Sequence, residues 1–433
     1  MRRSGFLGSS LAIGAAASAV GVPAQAADTA SGKKRASDFF KDSSMNYVLL
    51  IVLGQAASGC GDVGTTLAIF DQIEDGNAAS AFNALTSAGY RYVKAADAAK
   101  AAGHRTSARE LYLQGSTYLY AALYFCDAMR AADRMPGLFH ESRTAAENAF
   151  AILGVPAETI RIRYEGGFMP GFFIKPNSGN ARRPLIILVN GSDGSVVDMW
   201  AQGGRAALER GYNVLIFDGP GQGAMLWDHH TVFRYDYEAA VTPVVDYALT
   251  RPDVDPHRIA IQGISQGGYW VPRAIAFEHR VAAAIADPGV YDIGASWWAP
   301  LPAPLRALLD HRHKTLFDGI MTHLPPARAA DLAFRARPYG FSSYYDLFMN
   351  VKKYTMANIV SNIRTPLLIT DPDNEQFFPG QPKQLFDALP SRKKALVRFT
   401  VAEGADRHCE PAAPQLRNQR VFDWLDSQLG HRS

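Results

Sequence analysis

Cysteine is scarce in this 433-residue chain: Cys60, Cys126 and Cys409 are the three present. An odd count allows at most one disulfide, so the fold must rest on packing and not on covalent staples. Their spacing suits no metal site, and neither a CxxC nor an HExxH motif nor a carboxylate cluster points to one. Charge of one sign is equally scarce. Lys and Arg total 44 against 41 Asp and Glu, a formal net charge of +3. Setting Arg2 and Arg3 aside as parts of a leader brings it to +1. That balance offers no basic field for nucleic acid or an anionic membrane. A long apolar run is missing too, because the most apolar stretch near the amino terminus is diluted by Ala, Gly and Ser and is too weak for a stable span.

What is present describes a globular protein with 48% hydrophobic and 20% charged residues, too apolar for disorder. Single cores seldom exceed roughly 250–300 residues, so the chain can bury one large core or two smaller ones. The stretch "MRRSGFLGSSLAIGAAASAVGVPAQA" (1–26) has a positive start, an apolar middle and a small-x-small end at Ala24-Gln25-Ala26. Arg2-Arg3 followed by Phe6-Leu7 resembles a bacterial twin-arginine export signal. It predicts an exported protein, periplasmic or secreted.

Two rhythms divide the remainder. Residues 38–153 place apolar side chains at three- and four-residue steps, notably over 77–103 and 106–133, which predicts an all-helical unit. Thr106 or Ser107 with Glu110 reads as a capping box opening the second of these helices. The aromatic series Tyr92, Tyr112, Tyr118, Tyr120, Tyr124 and Phe125 fits a helical core better than a ligand stripe. From 159 the pattern changes to a Gly-broken hairpin and then to short buried runs: 184–190, 212–218, 258–263, 281–287, 365–371 and 394–401. Helical stretches at 196–211, 236–250, 266–279, 381–389 and 413–429 separate most of them. Strand and helix in alternation predict a doubly wound, mostly parallel sheet over 159–430. The long interval 293–362 predicts a helical insertion above the carboxyl ends of the strands, where ligands bind in such folds.

Gly263-Ile264-Ser265-Gln266-Gly267 stands where one of these strands meets a helix. A G-x-S-x-G turn there is sharp and strained, and it holds the serine hydroxyl out at the top of the sheet. The Gln266 N–H, at the helix start, can then face a developing oxyanion. A serine needs a base. His408, in "VAEGADRHCEP" after the last predicted strand, is the histidine late enough in the chain and at a strand-end loop. "ITDPDNEQFFPGQ" offers Asp371, Asp373 and Glu375 as orienting acids. Glu375 lies four residues before Pro379, the usual spacing, and Asp373 is the alternative. "NGSDGS" (190–195), after the first parallel strand, offers the Ser192 N–H as second oxyanion donor. "DGPGQGA" (218–224) lacks the full G-x-G-x-x-G of a dinucleotide site and fits a structural turn, so no cofactor is expected.

With serine, acid and histidine in that chain order, the sequence resembles the α/β-hydrolases. "NGSDGS", "DGPGQG", "GISQGGYW" and the helical amino-terminal unit are similar to the branch of fermentation–respiration switch esterases, fungal polyketide-shortening hydrolases and 2,6-dihydroxypseudooxynicotine hydrolase. The likeness covers about residues 40–430. It implies a Ser265–His408–Glu375 triad (or Asp373 in place of Glu375), an acyl-enzyme, and a pocket roofed by the helical unit and the insertion. The departures are the leader and an acid loop without the usual Gly-x-x-Asp. The expected substrate is a small apolar or aromatic ester, or a ketone cleaved at a carbon–carbon bond. An exopeptidase-like amidase, or a silent binding protein on the same scaffold, are the competing readings. The sequence leaves self-association open.

Overall fold

A computed structural model describes residues 35–432. The leader read at 1–26 lies outside the described residues. Five helices come first: Ser43–Gly54, Val63–Phe70, Ala78–Ala101, Arg105–Leu123 and Met135–Ala151. The two long central ones pack closely because each places a glycine at the crossing. A Cβ on Gly89 would stand 2.6 Å from Leu119 Cγ, and one on Gly115 would stand 2.8 Å from Val93 Cγ2. Asn77 caps the first of this pair through the N–H groups of Ala79 and Ser80. The expected capping box at Thr106 or Ser107 is not formed. The second helix begins one residue earlier, at Arg105, behind His104, which makes no side-chain cap. That helix also ends at Leu123, short of 133, and the chain turns through 124–130 with Arg130 at φ 56°.

Eight strands follow: β1 Ala157–Tyr164, β2 Gly167–Ile174, β3 Arg183–Val189, β4 Asn213–Phe217, β5 Val254–Ile264, β6 Ala283–Asp287, β7 Leu367–Pro372 and β8 Lys394–Phe399. They form one sheet in the order β1-β2-β4-β3-β5-β6-β7-β8. β2 runs antiparallel to β1 and β4, and every other pairing is parallel. β4 and β6 are buried along their whole length, as expected of strands covered on both faces. One apolar layer joins the sheet to the helices Glu238–Thr250 and Gly267–Ile275 and to the insertion. The other joins it to Pro414–Leu429 and to part of the amino-terminal helices, with Phe150 edge-on to Phe172 at 4.8 Å.

The stretch predicted as one helix over 196–211 is broken. It runs Val196–Met199, then a π-type turn at Trp200–Gly204, then Arg205–Glu209. Gly203 sits at φ 156° against Gln262 of β5, where a side chain would crowd the Gln262 amide. Five short helices fill the long interval between β6 and β7: Ile293–Trp298, Ala303–Asp310, Lys314–Met321, Pro326–Ala336 and Tyr344–Asn350. The strand order reverses at β3, which lies between β4 and β5. A crevice opens beyond the carboxyl ends at such a switch point.

Candidate active site

Ser265 follows β5 and precedes the helix Gly267–Ile275 with φ +56°, a conformation L-residues avoid. Its surroundings over-determine that strain. The Ser265 N–H donates to the Asp287 carbonyl at 2.6 Å, and its own carbonyl accepts from Gly268 at 2.8 Å. A Cβ on Gly263 would lie 2.1 Å from the Gly267 carbonyl oxygen, and one on Gly268 would lie 1.9 Å from that of Pro288. The glycines are therefore demanded by backbone against backbone, and the exposed serine is the consequence.

His408 is buried in the loop after β8, and its Nε2 lies 2.8 Å from Ser265 Oγ. Its Nδ1 lies 2.8 Å from both carboxylate oxygens of Glu375. Glu375 Oε1 also accepts from the N–H groups of Phe377 (2.8 Å) and Phe378 (3.0 Å). Three donors thus hold one buried carboxylate in place. Phe377 packs on the imidazole with ring centroids 4.5 Å apart, and Phe378 lies at 5.8 Å. Asp373, the alternative acid, turns away from this cluster. It pairs with Arg398 of β8 and accepts from the Val401 N–H. Asp371 is also outside it, its carboxyl raised by burial.

The loop after β3 faces the serine. Gly191 has no room for a side chain, since a Cβ would stand 2.8 Å from Ser265 Cβ. Its N–H is taken by Asn190 Oδ1 at 2.7 Å. Among the described residues no protein acceptor takes the N–H of Ser192 or of Gln266. Both residues line the cavity that holds Ser265 and His408. Two free donors beside a serine are what oxyanion binding requires.

Several supporting residues escaped the sequence reading. Gln222, in "DGPGQG", donates to the carbonyls of Asn190 (2.7 Å) and Gly191 (2.9 Å), so that segment braces the oxyanion loop. Tyr120 and Tyr124 reach from the helical unit to the carbonyls of Gly194 (3.0 Å) and Asp193 (2.7 Å). Most of the aromatic series is core, as expected, but these two hydroxyls serve the loop. Tyr47 donates to the His408 carbonyl at 3.0 Å. Asp406 accepts from Asn374 and from Arg35, which stitches the histidine loop to the acid loop. Partners tens to hundreds of residues apart reveal these roles, and no local pattern carries them.

A cavity of about 530 Å³ stands over the serine. Its walls come from the helical unit (Tyr47, Tyr124), the strand-end loops and the insertion (Trp297, Phe334). Tyr269 and Trp270, which end the stretch "GISQGGYW", are fully buried core residues. Among the described residues no group of three or more His, Cys, Asp or Glu is placed to hold a metal.

The model of the prolyl oligopeptidase family matches residues 202–305. The chain is 28% identical over 427 residues to the hydrolase acrC of Aspergillus aculeatus, covering 91% of this chain and 97% of that one. It is 26% identical to the 20-hydroxy-prefusarin hydrolase FUS2 of Gibberella moniliformis, covering 90% and 97%. The solved 2,6-dihydroxy-pseudo-oxynicotine hydrolase superposes with a TM-score of 0.68 at 19% identity, covering 87% of this chain and 96% of that one. The fold is thus that of the α/β-hydrolases. The bacterial, exported, periplasmic assignment does not stand: the curated relatives are fungal hydrolases. A paired arginine before an Ala-, Gly- and Ser-rich run is a short pattern of low information, and it misled here.

Proposed function

From the premise that this chain is a hydrolase of the α/β-hydrolase superfamily, we propose that it is a serine hydrolase working through an acyl-enzyme. The unbroken hydrogen-bonded line Ser265–His408–Glu375 carries this reading. His408 Nε2 takes the Ser265 proton as Oγ attacks a carbonyl, and Glu375 holds the Nδ1 proton and stabilises the imidazolium. The N–H groups of Gln266 and Ser192 receive the oxyanion. His408 then protonates the departing oxygen, nitrogen or enolate carbon, and a water deprotonated by the same nitrogen releases the acyl group.

Aromatic walls around the cavity favour a small apolar or aromatic substrate. The bond cleaved on this reading is an ester, or a carbon–carbon bond beside a ketone, either of which an attacking Ser265 can open at a carbonyl. The prolyl oligopeptidase match keeps amide cleavage as a second reading. It spans the nucleophile turn and its flanking strands, which do not distinguish the scissile bond. A fluorophosphonate probe should label the wild type and not Ser265→Ala. A wild type that resists the probe while folded would leave a silent binding protein as the better account. Turnover of p-nitrophenyl esters, aryl diketones and aminoacyl amides then separates the three bonds.

A further inference from the structure

Arg335, on the insertion helix Pro326–Ala336, lines the same cavity as Ser265. Its side chain is 21% exposed. Its Nε donates to Asp331 at 3.0 Å, one turn earlier on the helix. Among the described residues neither Nη group has a hydrogen-bond acceptor. The other cavity cations are engaged: Arg407 pairs with Asp38, and Arg417 reaches Asn418 and the Cys409 carbonyl. The Arg335 guanidinium lies over the Phe377 ring at 5.0 Å, and Phe377 in turn packs on His408. Asp193, next to the oxyanion donor Ser192, interacts electrostatically with both Arg335 and His408. No hydrogen bond joins it to Arg335.

Four guanidinium N–H donors without a protein acceptor, beside a cavity, are open to an anion. The planar fork fits a carboxylate in two parallel bonds, which a neutral oxygen cannot match. The aromatic walls of the cavity accept an apolar body. Resting on the serine hydrolase reading above, we infer that Arg335 is a specificity residue that binds an ionised carboxylate at the end of the substrate remote from the scissile carbonyl. The substrate class is then an acid with an apolar or aryl body, and Asp193 is the internal counter-charge that such a carboxylate displaces.

Protection of Ser265 from a fluorophosphonate probe tests this without a known substrate. 3-Phenylpropionate and its neutral isostere 3-phenylpropionamide are compared as protectants of the full chain. The acid should half-protect the wild type at a concentration at least about tenfold below the amide, the order expected of one charge-assisted pair. Arg335→Met keeps the stem over Phe377 and should erase that ratio, Arg335→Lys should restore part of it, and Asp193→Asn should widen it. Because the ratio is read within each variant, a general loss of labelling does not mimic the effect. Equal protection by acid and amide in the wild type, or a ratio that survives in Arg335→Met, overturns the inference and leaves the hydrolase reading intact. Failure of the folded wild type to label removes the hydrolase reading, and this inference with it.

Discussion

Two glutamates flank His408, and the protein treats them in opposite ways. Glu375 is buried and accepts from the imidazole and two backbone N–H groups. Glu410, two residues after the histidine, is fully buried and neither of its oxygens has a hydrogen-bond partner among the described residues. Asp287 Oδ2 is orphaned in the same way, and Arg417 Nε stands 3.9 Å from it. Burial, reinforced by the Asp287 charge, pushes the Glu410 carboxyl well above its ordinary range, while Arg417 pulls the other way and Cys409 and Glu375 lie close by. A proton kept on Glu410 has an acceptor in the neighbouring Asp287 carboxyl. Donors, and not burial, set the surroundings of Glu375 apart from those of Glu410.

The most severe way to break this contrast is Glu375→Gln. The amide cannot hold the Nδ1–H tautomer, and kcat/KM should fall by about 10³–10⁴ with the fold intact. A loss below about tenfold would remove Glu375 from the proposed triad. For Glu410 the readout is stability against pH. The unfolded chain releases the Glu410 proton in the ordinary carboxylate range, whereas the folded chain keeps it. Folded protein therefore binds more protons above that range, and stability falls as pH rises toward the folded value. Glu410→Gln lacks this slope. It should exceed the wild type by about 1–3 kcal/mol in denaturant melts at pH 9, and the gap should shrink toward pH 5. Parallel wild-type and variant curves would mean that Glu410 is not held neutral. The smallest effect belongs to Asp373→Asn, which loses only a surface pairing with Arg398. Its kcat/KM should stay within about threefold of wild type, and a drop approaching that of Glu375→Gln would exchange the two acids.

Legibility in the sequence followed how local each requirement was. Buried parallel strands read as short apolar runs, so the stretches predicted at 184–190, 212–218 and 365–371 fall within a residue or two of β3, β4 and β7. Ser265 was legible because strand, glycines and helix lie side by side. The broken helix at 196–209 was not, since the Gln202 carbonyl within it accepts from Gln262 of β5, sixty residues away. Glu375 and Asp373 could be ranked only by spacing to Pro379, whereas Arg398 pulling Asp373 aside is a fact of strand pairing.

The chain by itself determined the doubly wound sheet, the place of Ser265 and the candidate acids and base, because periodicity and tight turns are properties of neighbouring residues. Tertiary structure decided which carboxylate meets His408, that Gln222, Tyr47 and Tyr124 brace the site, and that Arg335 faces the cavity. Those outcomes depend on side chains brought together across tens to hundreds of residues, where distance and solvent exclusion set the chemistry and no sequence pattern records them.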